Sequence, residues 1–203
     1  MNTEQIIGID EVGRGPIAGP VAVSAFLCAR QDLAEILKGI DLPIRDSKKL
    51  TKKQREKWFE YLKSEKEKGN CDFAVSIVSA LQIDKFGIVP SIQKALNSSL
   101  FNLLKTSLLE PRNYNLMLDG GLKAPKEYVN QQTIIKGDEL HPVISCASII
   151  AKVTRDNLMA KYATEFPNYG FERHVGYGTR AHYLAIKTHG LTPLHRKTFL
   201  KNL

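Results

Sequence analysis

The apolar run Ile6 to Ile9 ends on two adjacent carboxylates, Asp10 and Glu11, and Val12 then leads into Gly13-Arg14-Gly15. A run of that kind reads as a buried strand, and buried strands avoid charge. Ionised acids at the margin of a core are costly unless a cation or a set of donors compensates them. The pair therefore marks a candidate cation site at the end of a strand. The flanking glycines let backbone amides approach a ligand closely, and Arg14 adds fixed positive charge beside them.

Length and charge narrow the setting of that site. A chain of 203 residues suits one large compact domain, taken here as residues 1–203. Its 29 Lys and Arg against 21 Asp and Glu give a net charge of +8, which favours a polyanionic partner through counterion release. Cys28, Cys71 and Cys146 are odd in number and widely spaced, with no Cys-x-x-Cys. They indicate neither a disulfide framework nor a zinc ribbon and read as small buried hydrophobes. No basic stretch followed by a long apolar one opens the chain, and no run reaches the roughly 18 apolar residues of a membrane span, so a cytoplasmic, membrane-free monomer is expected.

Along the chain, Ile6 to Asp10 and Val21 to Leu27 read as two strands joined by the Gly/Pro-rich turn Gly13 to Pro20, a hairpin. Thr51-Lys52-Lys53-Gln54 has capping-box spacing and opens a helix to about Gly69, with Trp58, Tyr61 and Leu62 on one face and a basic opposite face. Phe73 to Val78 is a third strand, Pro90 opens a helix carrying Ile92, Leu96, Leu103 and Leu104, and Tyr114 to Leu118 is a fourth strand ending at Asp119. Thr133 to Ile135 forms a short fifth strand before Lys136-Gly137-Asp138. Ser145 to Phe166 is helical and stopped by Pro167, and the helix Arg180 to Thr188 ends at Gly190. Strands with interspersed helices imply an α/β fold, a mixed central sheet flanked by helices, with residues from about 167 to 203 as a C-terminal helical cap.

Three separated strands thus deliver Asp10, Glu11, Asp119 and Asp138 to one edge, where open α/β sheets place their ligands. Carboxylates are the donors that hard Mg²⁺ or Mn²⁺ prefers, and two such ions about 4 Å apart clamp the attacking and leaving oxygens of a phosphodiester. The bland reading is that each acid merely follows its strand into a solvated turn, as Asp-Gly pairs such as Asp119-Gly120 usually do. Gly13 to Ala18 also fits G-x-G-x-x-G/A, with Asp32 near the ribose-binding spacing. The context opposes a dinucleotide site, because Pro16 and Pro20 bracket the third position, a strand follows where a helix should begin, and Asp10 and Glu11 repel a pyrophosphate.

Read together, Gly8-Ile9-Asp10-Glu11-Val12-Gly13-Arg14-Gly15-Pro16, Asp46-Ser47-Lys48-Lys49-Leu50, Asp119-Gly120, Lys136-Gly137-Asp138, the segment from Ser145 to Asp156, and Gly176-Tyr177 resemble bacterial ribonuclease HII over nearly the whole chain. Ribonuclease HIII is similar, but carries an additional N-terminal domain and usually Gly-Lys-Gly in place of Gly13-Arg14-Gly15. The resemblance implies an RNase H-like fold and a metal-dependent endonuclease. Its substrates would be the RNA strand of RNA/DNA hybrids and duplex DNA containing ribonucleotides, incised on their 5′ side to leave 3′-hydroxyl and 5′-phosphate ends.

By residue, the resemblance makes Asp10, Glu11, Asp119 and Asp138 the metal-binding acids, Gly13-Arg14-Gly15 the reader of the 2′-hydroxyl, and Tyr177 the ring that packs on the sugar. The 2′-hydroxyl is what separates ribose from deoxyribose at a given site, so a reader of it is physically required. Lys48, Lys49 and Lys152 are candidate phosphate contacts, with Ser148 as a candidate hydrogen-bond donor to a phosphate. Val175 and Gly121 stand where relatives often carry Lys and Asn. The five histidines suit capping or packing, and His195-Arg196-Lys197, which resembles a family motif, suits a structural or peripheral DNA-contact role. Two other readings use the same residues: a different RNase H-like nuclease without ribose selectivity, or a non-catalytic hybrid-binding module, in which four acids would only weaken phosphate binding.

Overall fold

A computed structural model describes residues 4–44 and 49–201 of the chain. The predicted hairpin is present: β1 (Gln5–Val12) and β2 (Val21–Ala29) are antiparallel neighbours, and β3 (Cys71–Val78) pairs antiparallel with β2. On the other edge of β1, β4 (Tyr114–Asp119) and then β5 (Gln131–Ile134) run parallel to it, giving the order β3-β2-β1-β4-β5. The sheet is therefore mixed, and the carboxyl ends of β1, β4 and β5 share one edge. Ile9 is the register partner of Leu118, which sets Asp10 beside Asp119.

Helices cover both faces. They run in chain order as α1 (Leu33–Lys38), α2 (Lys52–Glu67), α3 (Ala80–Phe86), α4 (Ile88–Leu104), α5 (Gly137–Leu140), α6 (Pro142–Glu165), α7 (Phe171–His174) and α8 (Arg180–His189). Strand alternation assigns the faces. Ile7 and Ile9 of β1 join Leu116 and Leu118 of β4 in a core under Ile92, Ala95 and Leu96 of α4. Ile6 faces the other way, with Phe26, into a second core that holds Trp58 and Leu62 of α2 and Val143, Ala147 and Ile150 of α6. Asp10 and Asp119 keep the phase of Ile6 and Met117, so both belong to the face that α6 covers. A Cβ on Gly8 would stand 2.1 Å from the Val143 carbonyl oxygen, so this glycine lets the start of α6 lie directly on β1 beneath the acids.

Several boundaries differ from the sequence expectation for identifiable reasons. The box at Thr51 is made in full: its hydroxyl accepts from the Gln54 N–H at 3.2 Å, and Gln54 Oε1 accepts from the Thr51 N–H at 2.8 Å. α6 begins at Pro142 and not at Ser145, because a proline in the first turn forfeits only an N–H that has no helical partner. Likewise α4 begins at Ile88, two residues before Pro90. β5 starts at Gln131 and stops before Ile135, which is exposed, because the chain turns through Lys136 at φ 56°. Asp138 consequently lies in the first turn of α5 and not on a strand end. α1 and α3 were not foreseen. Each buries too few side chains for a periodic stripe, Ile36 in one and Ala80 and Ile83 in the other.

The C-terminal segment forms the short helices α7 and α8. Met159 of α6 packs with Ile17, Ala18, Tyr169, Phe171, Ile186 and Leu200, so the β1–β2 connection and the C-terminal helices share a third core. Cys28, Cys71 and Cys146 are free and buried, and burial pushes the Cys28 and Cys71 thiols up to about 12. Among the described residues no helix is long and apolar enough to cross a membrane.

Candidate active site

The acids meet at the sheet edge. Oxygen atoms of Asp10, Glu11 and Asp119 all lie within 4.8 Å of one another. Asp10 is buried, and one of its oxygens accepts from the Glu11 N–H at 2.7 Å. Burial holds its carboxyl well above the usual carboxylate range; a hydrogen bond from Ser148 works against that, while Glu11, Asp119 and Asp138 add to it. Asp119 Oδ1 accepts from the Gly137 N–H at 2.6 Å, which ties the end of β4 to the start of α5. Such a set is uncomfortable on its own and suited to a hard cation, because desolvated like charges packed together are stabilised by a divalent ion held on their oxygens.

Asp138 is brought near without joining the trio. It is buried, its charge is felt at Asp10, and its carbonyl accepts from the Ser145 hydroxyl at 2.7 Å. Its carboxylate is not one of the three that converge within 4.8 Å.

Beside the acids, Gly13 takes φ +87°, and a Cβ there would stand 2.3 Å from Arg155 Nε and 2.7 Å from the Pro20 carbonyl oxygen. Only glycine fits. At Gly15 the space is open: the nearest atom to a Cβ would be Tyr177 Cε1 at 3.8 Å. The residues expected to read a sugar are therefore neighbours, although 162 positions separate them (177 − 15). Tyr177 is 47% exposed and Arg14 is largely exposed, its guanidinium 3.8 Å from Glu11. Val175 precedes that tyrosine at φ 43°, a left-handed conformation that costs a β-branched residue on the order of 1–3 kcal/mol and persists here within the third core.

Ser148 is buried on α6 with its hydroxyl on the Asp10 carboxyl, so it supports one of the acids. Lys152 reaches Asp156 at 2.8 Å, and Lys49 lies 3.8 Å from Glu139. Lys48 lies outside the described residues. Arg196 is wholly buried with its guanidinium on backbone carbonyls, which gives the His195-Arg196-Lys197 motif a structural role at that residue and not a DNA contact. Arg155, equally buried, donates to the Pro20 carbonyl at 2.9 Å. Neither buried arginine stands out in the sequence as part of the site. Their signal was faint, because arginine is rarely fully buried and neither sits in an apolar stretch that announces a core.

The model of the family described as "Ribonuclease HII" matches residues 7–202. The chain is 43% identical over 202 residues to the ribonuclease HII of Fusobacterium nucleatum, covering 98% of this chain and 87% of that protein. It is 39% identical over 196 residues to the ribonuclease HII of Clostridioides difficile, covering 97% and 70%. Among solved structures, ribonuclease H2 from Pyrococcus horikoshii superposes with a TM-score of 0.69 at 26% identity over 96% of this chain and 93% of that one. A Bst-RNase HIII structure in complex with Mn²⁺ shares the fold, with a TM-score of 0.69 at 19% identity over 98% and 70%. The mixed five-stranded sheet is accordingly an RNase H-like one. With acids, glycine loop and tyrosine assembled on that sheet, and a family model spanning all of them, the chain belongs to the ribonuclease HII family.

Proposed function

We propose that this chain is a divalent-metal-dependent endoribonuclease. It hydrolyses the RNA strand of RNA/DNA hybrids and incises on the 5′ side of ribonucleotides embedded in duplex DNA, leaving 3′-hydroxyl and 5′-phosphate ends. The observation that carries this reading is the convergence of Asp10, Glu11 and Asp119 beside a glycine-flanked loop with Tyr177 against it. Those three acids would hold Mg²⁺ or Mn²⁺, with Asp138 adding negative charge to the set. Ions held there supply Lewis-acid stabilisation of the phosphodiester and an activated water.

The chain's own groups do the rest. Gly13, Arg14 and Gly15 present backbone at short range to a 2′-hydroxyl, and Tyr177 offers a flat ring to the sugar beside it. Holding the ribose there fixes where the scissile phosphate lies relative to the acids, so sugar recognition becomes a condition of cleavage as well as of binding. Lys48, Lys49 and Lys152 add positive charge for phosphates, and the net charge of +8 supplies affinity without selectivity.

The test compares matched duplexes with no, one or four ribonucleotides, in Mg²⁺ and in Mn²⁺. Incision is expected only where ribose is present and only with a divalent ion. Cutting of the all-DNA duplex at a comparable rate would refute ribose reading, and undiminished cleavage in excess chelator would refute the role of the acids.

A further inference from the structure

We infer that residues 192–196 position both sugar-reading elements, Arg196 acting on the backbone of Gly13-Arg14-Gly15 and His195 acting on Tyr177 through His182. This rests on the proposed reading of the loop and tyrosine as the sugar reader, and goes beyond it by naming what holds them.

Arg196 spans the loop from beneath. Its Nε donates to the Gly19 carbonyl at 2.9 Å, Nη1 to the Arg14 carbonyl at 2.9 Å and Nη2 to the Gly13 carbonyl at 2.6 Å. A trans peptide is planar, with its N–H opposed to its C=O. Turning the Gly13 and Arg14 carbonyls inward onto the guanidinium therefore turns the Arg14 and Gly15 N–H groups outward. Gly15 is where the Tyr177 ring lies, so the outward donors stand on the side a ribose must approach. A planar fork with fixed donors is needed for three separate carbonyls, and a lysine ammonium cannot reproduce it. Burial beside Arg155 costs Arg196 some of its basicity, lowering it to about 9, yet the group is kept where an apolar side chain would leave the three carbonyls unmet.

His195 completes the other half. Its Nδ1 faces the Thr192 N–H at 2.9 Å, so its proton sits on Nε2, 3.1 Å from His182 Nε2. His182 then accepts there and carries its own proton on Nδ1, which donates to the Tyr177 carbonyl at 2.8 Å. The backbone closes the frame: the Arg196 N–H donates to the Ile17 carbonyl at 2.8 Å, while the Ile17 and Ala18 N–H groups donate to the Gly176 carbonyl at 2.9 and 3.1 Å. Loop and tyrosine, from opposite ends of the chain, are thus referenced to one short segment. Asp84 on α3 pins the residues just beyond it, accepting from the Lys197 N–H at 2.8 Å and the Thr198 N–H at 3.0 Å.

The experiment uses Arg196→Lys, His195→Phe and Asp84→Ala, with Gly15→Val as a control on the reader itself. Single-turnover incision of a one-ribonucleotide duplex is measured beside affinity for the matched all-DNA duplex. Expected is a rate loss of about tenfold or more for Arg196→Lys and about threefold for the other two, with all-DNA affinity within about twofold of wild type. Should Arg196→Lys fail to fold, His195→Phe and the half-buried Asp84→Ala decide the matter, since neither alters the guanidinium. Wild-type incision in the folded variants, or rate and affinity falling in equal proportion, overturns the positioning role. Gly15→Val separates the two claims: if it too incises at the wild-type rate, the sugar-reader assignment has failed; if it is impaired while the other variants are not, that assignment stands and the positioning of it by residues 192–196 is wrong.

Discussion

The buried histidines make the fold acid-sensitive by an amount that follows from their hydrogen bonds. His182 has no exposed surface, and burial lowers it to about 4, against the ordinary value near 6.5 expected in the unfolded chain. The Tyr177 carbonyl works the other way, while His174, stacked at 4.3 Å, and His195 reinforce the neutral form. Between those two values the unfolded chain binds a proton that the folded chain refuses, so stability is fully present above about pH 6.5 and is lost as pH falls toward 4. The loss from pH 7 to pH 5 is about 2 kcal/mol from this residue, and His195, shifted downward by burial too, adds in the same direction. Asp10 opposes it, since a carboxyl raised by burial favours the folded state as pH falls. The comparison that isolates His182 is therefore wild type against His182→Asn, whose amide retains a donor for Tyr177 but does not titrate. Urea unfolding in chelator at pH 7 and pH 5 is expected to show the stability gap between the two proteins shrinking by about 2 kcal/mol on acidification. A gap unchanged between the two pH values would refute the buried neutral pair.

Three other outcomes are checkable with simple variants. Asp10→Asn or Asp119→Asn should slow cleavage by at least about a hundredfold, and Asp10→Asn in chelator should melt no lower than wild type, because it relieves a crowded buried charge; turnover near wild type would remove these residues from the site. Gly13→Ala should destabilise by about 2 kcal/mol or more, read from urea midpoints, since its Cβ meets Arg155 at φ +87°, whereas Gly15→Ala should stay within about 0.5 kcal/mol while losing incision. Changing Lys48 and Lys49 together to Ala should weaken binding of ribonucleotide-containing and all-DNA duplexes alike and flatten the salt dependence, and an unchanged slope would make them solvated surface only.

What could be read from the sequence, and what could not, divides by the range of the interaction that places each residue. Asp10 and Glu11 were legible because a charge at the end of an apolar strand is a local anomaly, and Asp119 because it closes a second strand of the same kind. The parallel register of β1 and β4 then makes their meeting almost automatic. Asp138 was legible as an acid but misplaced, because whether a strand ends at Ile134 or Ile135 depends on a left-handed turn at Lys136 that nothing in the local pattern announces. The contact of Ser148 with Asp10 was not legible, because a serine on a mostly apolar helix faces whatever the packing of α6 on Gly8 puts opposite it.

Arg196 is the extreme case. Its three acceptors lie 177, 182 and 183 positions away, so no window of sequence could show them. A buried cation held mainly by backbone carbonyls is a poor source of stability, since its desolvation is offset by neutral acceptors, the Phe199 ring 5.2 Å from its guanidinium and the charge of the half-buried Asp84, with no carboxylate bonded to it directly. The three carbonyls it collects belong to the glycine-rich connection between β1 and β2, in which Ile17 and Ala18 are anchored in the third core while Gly13, Gly15 and Gly19 have no side chain to hold the stretches around them. A loop of that kind can approach a ligand closely only because it lacks side chains, and for the same reason it cannot order itself. Rigidity at those glycines has to come from outside, and the Arg196 guanidinium fork provides it through the Gly13, Arg14 and Gly19 carbonyls without adding a side chain to the loop itself.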